Sequence, residues 1–253
     1  MAPRKIVPCL DIKDGKVVKG VNFVGLRDIG PPPQLAEGYC AQGADEVAFL
    51  DLAASTEGRQ TTLALVAETS KRVTVPFTVG GGIRSADDVG EVLAAGADKV
   101  SINTAAVRDP GIVSESAERF GKERIVVAID AKQVGGRWEV MTHGGARPAG
   151  KEAVAWAGEV EDLGAGEILL TSVDTDGVKG GYDIPLNRDV ADAVGIPVTA
   201  SGGCGRLEDF YEVFSQTGVA AALAASAFHY GLFTIGEVKG YLKDMGVPVT
   251  WPS

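Results

Sequence analysis

A chain of 253 residues, 45% hydrophobic and 23% charged, has the make-up of an ordinary folded protein. A net charge of −10 without a long basic run argues against nucleic acid as a partner, and no apolar run reaches the roughly 18–20 residues of a membrane helix. Three widely spaced cysteines, Cys9, Cys40 and Cys204, and only two histidines, His143 and His229, argue against a disulfide framework and a His-rich metal site. The start, MAPRKIVPCL, lacks the apolar core of a signal peptide. A cytoplasmic protein with no cofactor and no metal is expected. An acidic chain can still bind phosphate through backbone N–H groups and a few lysines.

Short apolar, β-branched runs recur along the chain. They are KIVPCLDI (5–12), EVAFLDL (46–52), PFTVGG (76–81), KVSIN (99–103), RIVVAIDA (124–131), EILLTSV (167–173), IPVTASGG (196–203) and AAALAAS (220–226). Each has the length of a buried strand. Between them, TTLALVAETSKRV (61–73), SADDVGEVLAAG (85–96) and LEDFYEVFSQTG (207–218) carry helical spacing, with Ser85 as an N-cap and Gly96 just past a C-terminus. Eight strands alternating with helices predict an α/β fold of the (β/α)8 TIM-barrel type, one domain over 1–253. A doubly wound sheet is the alternative, but LDIKDGK is not the glycine-rich turn that such a fold places after its first strand. The segment 76–105 aligns with 197–227, and CLDIK (9–13) with AIDAK (128–132). That internal repeat, with a period of about 120 residues, predicts two half-barrels, 1–122 and 123–253.

Barrel chemistry lies at the C-terminal ends of the strands. The first predicted strand ends with Asp11 and the fifth with Asp130, at repeat-equivalent positions. Side chains alternate along a strand, so Lys5, Val7, Cys9 and Asp11 share one face, as do Val126, Ala128 and Asp130. Two inward carboxylates across a mouth make an acid/base pair; a lone one would more simply cap its loop. The turns TVGGGIRS and ASGGCGRL follow the third and seventh strands, and INTAA and AASAF the fourth and eighth. Glycines there do no more than make tight turns, or else let backbone N–H groups approach an anion. Their duplication favours two facing phosphate sites, one with Gly81, Gly82, Asn103 and Thr104, the other with Gly202, Gly203, Ala225 and Ser226. The glycine-rich segment 173–183 carries Asp174 and adds Asp176 and Gly177 to the phosphate-binding set. The stretch from Lys13 to Pro33 is long for a βα loop, and Lys19, Gly20 and Phe23 predict a lid that brings Lys19 over an anionic ligand. A solvated surface lysine is the plainer alternative.

The same parity, carried down the strands, brings Lys5, Glu46, Lys99 and Glu167 to the N-terminal floor. Buried charges need partners, so an ionic ring is expected, with Cys9, Ala48, Thr78, Ser101, Ala128 and Ser201 above it. These are smaller than the Val, Ile and Leu that usually fill a barrel. On the residues alone, a structural plug serves as well as a passage.

The segments CLDIKDGKVVKG, FTVGGGIRS, DKVSINTAAV, VVAIDAK, GAGEILLTSVDTDG and ASGG carry a resemblance that runs from about Lys5 to Leu242. The chain resembles the cyclase subunits of imidazole glycerol phosphate synthase, from histidine biosynthesis. The resemblance implies a lyase of amino-acid biosynthesis with Asp11 and Asp130 as the catalytic pair. Its substrate would be PRFAR, a bisphosphorylated aminoimidazole carboxamide nucleotide. Ammonia would come through an ammonia channel from a glutaminase subunit, in a heterodimeric glutamine amidotransferase complex. The products would be imidazole glycerol phosphate and aminoimidazole carboxamide ribotide. The resemblance also implies that the floor ring is the ammonia gate, with Asp98 touching the partner. It commonly has Arg where this chain has Lys5, and lysine lacks the planar fork, which implies a looser ring. The alternatives are the sister isomerase of the pathway and a non-catalytic sugar-phosphate binding barrel.

Overall fold

In the computed structural model, which describes residues 2–21, 24–52 and 63–251, eight parallel strands close into a ring. In chain order, β1 (Lys5–Lys13) runs on into a hairpin of β2 (Lys16–Val21) and β3 (Val24–Gly30). Next come β4 (Val47–Asp51), β5 (Phe77–Gly80), β6 (Lys99–Ile102) and β7 (Ile125–Val134). A second hairpin of β8 (Arg137–Thr142) and β9 (Arg147–Glu152) follows, then β10 (Glu167–Ser172), β11 (Val198–Ser201) and β12 (Ala221–Ala224). The ring order is β1–β4–β5–β6–β7–β10–β11–β12. It is closed by Lys5 opposite Ala221 on one side and by Glu167 opposite Val126 on the other. This is the (β/α)8 barrel read from the alternating pattern. β1 and β7 stand on opposite sides of it, as do β5 and β11.

Two hydrophobic layers hold the barrel. Outward residues such as Ile6, Leu10, Phe49, Phe77, Val100 and Ile168 pack under the helices. Phe49 meets Phe77 edge-on at 6.0 Å, the geometry that the ring quadrupoles favour. Inside, Val7, Cys9, Ala48, Val126, Leu169, Ala221 and Leu223 form a separate cluster, with Leu50 and Ala128 against it. The predicted parity of β1 and β7 is therefore the observed one.

The helix Ala86–Ala94 begins as its sequence dictates. Ser85 Oγ accepts from the Asp88 N–H, and Asp88 Oδ2 accepts from the Ser85 N–H, a reciprocal capping box. Its repeat counterpart, Leu207–Gln216, lacks the serine. Asp209 Oδ2 still accepts from the N–H groups of Gly205 and Arg206, both at 2.8 Å.

The expectation of a long loop after the first strand is corrected. Asp14 (φ 51) and Gly15 (φ 77) form a tight two-residue turn, and β2 pairs back on β1 with Ile12 opposite Val17. Asp-Gly suits such a turn because both residues must take positive φ. Gly135 and Gly136 do the same between β7 and β8. Asp11 and Asp130 are consequently not at strand ends; both strands continue past them. Phe23, assigned to the lid, lies outside the described residues.

Candidate active site

A cavity of about 670 Å³ opens at the C-terminal ends of the barrel strands. Asp11, Lys19 and Asp130 line it, together with all ten residues read as phosphate-binding. Asp11 is 5% exposed and Lys19 is 8% exposed. Lys19 Nζ donates to Asp11 Oδ2 at 2.6 Å, and Cys9 Sγ lies 3.4 Å from Oδ1. Lys19 is thus not a solvated surface lysine. Burial disfavours its charge, but Asp11 and Asp176 outweigh that and raise its pKa.

Across the mouth, Asp130 Oδ2 accepts from Asn103 Nδ2 at 3.0 Å. Burial pushes the Asp130 carboxyl up to about 6; Asn103 counteracts and Asp176 adds to the rise. The two aspartates therefore have different surroundings, one against an ammonium and the other against a neutral amide. A carboxyl that titrates near neutrality can give and take a proton. Burial raises Asp176 as well, with Lys19 opposing and Asp11 reinforcing the shift.

The predicted phosphate turns face each other, as β5 and β11 do. Gly81 (φ 103) and Gly202 (φ 88) use conformations that side chains avoid, and each lies against the neighbouring strand's end. A Cβ on Gly81 would stand 2.3 Å from the Asp51 carbonyl oxygen; one on Gly202, 2.8 Å from that of Ser172. Asp176 and Gly177 line the same cavity. The Asp176 N–H donates to the Ser172 carbonyl at 3.0 Å, and the nearby Gly177 backbone opposes the rise of the Asp176 carboxyl. Asp176 also lies in the field of Lys19 and Asp11. Asn103 gives one of its two amide hydrogens to Asp130 and keeps the other.

At the floor, Lys99 Nζ donates to Glu46 Oε2 and to Glu167 Oε2, both at 2.7 Å. Thr78 Oγ1 donates to Glu46 at 2.5 Å, and Thr199 Oγ1 to Glu167 at 2.7 Å. The two glutamates are thus held alike in the two halves and share one cation. Lys5 is looser, 3.8 Å from Glu46 with its side chain half exposed. Asp98 is exposed and accepts the Phe77 N–H at 2.9 Å, so its carboxylate anchors β5.

Several cavity residues escaped the sequence reading: Asp51, Arg84, Lys132, His143 and Thr171. Extending the inward row of Glu167 by four residues reaches Thr171, which stands opposite Asp130 in the ladder. Thr199, two residues before Ser201, was open to the same argument. Asp51 is off the inward parity of β4, and only the closeness of Gly81 reveals it. Among the described residues, no cluster of His, Cys, Asp or Glu is placed to hold a metal ion. No helix among them is long and apolar enough to cross a membrane.

A family model described as histidine biosynthesis protein matches residues 5–234, a span that takes in every strand of the barrel. The chain belongs to the histidine biosynthesis protein family. That family includes the cyclase and its sister isomerase, so membership makes the protein a histidine-biosynthesis enzyme and leaves both activities within it.

Proposed function

We propose that the protein is the cyclase, converting PRFAR and ammonia to imidazole glycerol phosphate and aminoimidazole carboxamide ribotide. The observation that carries this reading is the barrel floor. An isomerase has one substrate and needs no second passage. Here a row of small residues, Cys9, Ala48, Thr78, Ser101 and Ser201, leads from the cavity to Glu46, Lys99 and Glu167. A small neutral molecule delivered at the N-terminal face would meet Asp11 and Asp130 from below. That supports ammonia as co-substrate, a glutaminase docked on the floor, the ring as its gate, and Asp98 as a contact.

In this mechanism the two glycine turns hold the phosphates at opposite sides of the mouth. Asp11, next to Lys19, handles the protons of amination and ring closure. Asp130 assists cleavage from the other side, where a carboxyl titrating near 6 can protonate a leaving group. Asp11→Asn and Asp130→Asn should each lower kcat by about 10²–10⁴-fold. The deciding experiment is product analysis with PRFAR and an ammonium salt, run beside the isomerase substrate. Imidazole glycerol phosphate is the expected product. Turnover of the isomerase substrate alone would assign the sister activity, and tight retention of unchanged bisphosphate would make the barrel a binder.

A further inference from the structure

The turn between β8 and β9 has no part in the mechanism above. His143 adopts φ 55, and Gly144 and Gly145 follow at 64 and 80. Glycine enters that left-handed region freely; histidine pays about 1 kcal/mol for it. The three residues curl inward and line the cavity. The hairpin returns antiparallel along β7 with Met141 opposite Asp130, so the turn arrives beside that carboxyl. Hydrogen bonds fix it, among them Ala146 N–H to the Thr142 carbonyl at 3.0 Å. The His143 N–H donates to Thr104 Oγ1 at 3.1 Å, and its Nδ1 lies 3.1 Å from Thr142 Oγ1. A hydroxyl that accepts the His143 N–H keeps its own proton to donate elsewhere. Thr142 Oγ1 gives its own proton to the Arg147 carbonyl at 3.2 Å, so it accepts from Nδ1–H, and the neutral ring presents Nε2 to the cavity as an acceptor.

We propose that His143 is a ligand-contacting residue. Its Nε2 accepts a hydrogen bond from a substrate hydroxyl beside the phosphate held at Gly82, Asn103 and Thr104, and its main-chain N–H turns the Thr104 hydroxyl towards that phosphate as a donor. The inference rests on the reading of those residues as a phosphate subsite. It explains why a side chain occupies a backbone conformation that glycine would take without strain.

The test is a titration of the full-length chain, labelled with 15N, with glycerol 3-phosphate. Amide shifts of Gly82 and Thr104 report this subsite; those of Gly203 and Ser226 report the opposite one. His143→Gly accepts the backbone conformation and removes only the imidazole. Affinity read at Gly82 and Thr104 should weaken by about fivefold, the worth of one neutral hydrogen bond, with Gly203 and Ser226 unchanged. His143→Gln, whose Oε1 keeps an acceptor at similar reach, should recover part of the loss. Unchanged affinity in His143→Gly overturns the inference, as does equal weakening at all four amides, the sign of a loosened fold. Absence of any shift at Gly82 and Thr104 in the wild type overturns the phosphate reading instead.

Discussion

Lys19 Nζ donates to Asp11 Oδ2 at 2.6 Å because the Asp14–Gly15 turn folds β2 back along β1. The lysine is therefore held on a strand, within reach of the carboxylate it serves. Lys19→Ala should lower kcat with little change in the binding of inorganic phosphate. In a double-mutant cycle with Asp11→Asn, the coupling in stability should be about 1.5–3 kcal/mol, as for hydrogen bonds to charged groups. Additive stabilities would mean a pair that contributes nothing, and unaltered turnover would remove the lysine from the chemistry.

Asp130 makes a pH prediction with a definite sign. Burial raises its folded value to about 6, above the unfolded value of about 4. The folded state therefore binds the proton more tightly. The stabilisation is complete below about pH 4 and is lost as pH rises through about 6. Asp130→Asn does not titrate. Its stability advantage over the wild type should grow between pH 4 and pH 7, by about 2 kcal/mol at most. Thermal melts across that range measure it; a constant difference would mean an unshifted carboxyl.

The floor predicts unequal lysines. Lys99→Ala leaves Glu46 and Glu167 with threonine hydroxyls and, at Glu46, the looser Lys5, and should destabilise by about 3–5 kcal/mol. Lys5→Ala removes a half-exposed contact at 3.8 Å and should cost under about 1 kcal/mol in urea melts. Below its melting temperature, Lys99→Ala should alter glutamine-driven turnover of the two-protein complex far more than turnover with free ammonium salt. Equal effects on both would leave the ring a structural plug.

Glycine turns can be tested for crowding apart from strain. Gly15→Ala meets only an unfavourable φ of 77, with nothing within 4 Å of the new Cβ, and should cost about 1 kcal/mol. Gly81→Ala meets φ 103 and the Asp51 carbonyl oxygen at 2.3 Å, and should cost clearly more than Gly15→Ala while abolishing phosphate binding at that turn. Equal losses in the two variants would mean that Asp51 yields easily.

The barrel was legible because its strands alternate inward and outward with few exceptions, so that Lys5, Val7, Cys9 and Asp11 could be assigned to one face from the sequence alone. The repeat gave the opposition of Asp11 and Asp130 for the same reason. What stayed hidden was local competition for hydrogen bonds. Nothing in VDTDG says that the Asp176 N–H will bond the Ser172 carbonyl, or that Asn103 will turn its amide to Asp130. The Asp14–Gly15 signal for a hairpin was present and was outweighed by the polar character of the stretch. His143 carried no periodicity at all, since its position depends on a turn conformation.

β1 and β7 continue past the rim, and this separates the reacting groups from the parts that cover them. Asp11 lies two residues before the end of β1, and Asp130 has a ladder partner in Met141. Each carboxylate is thus clamped by backbone pairing close on its outer side as well as below. Residues at the far tips of the two hairpins can be exchanged, lengthened or reshaped to suit a different ligand outline, while the spacing of the carboxylates stays under the control of the barrel. In this architecture substrate range and reaction chemistry are adjustable by separate mutations.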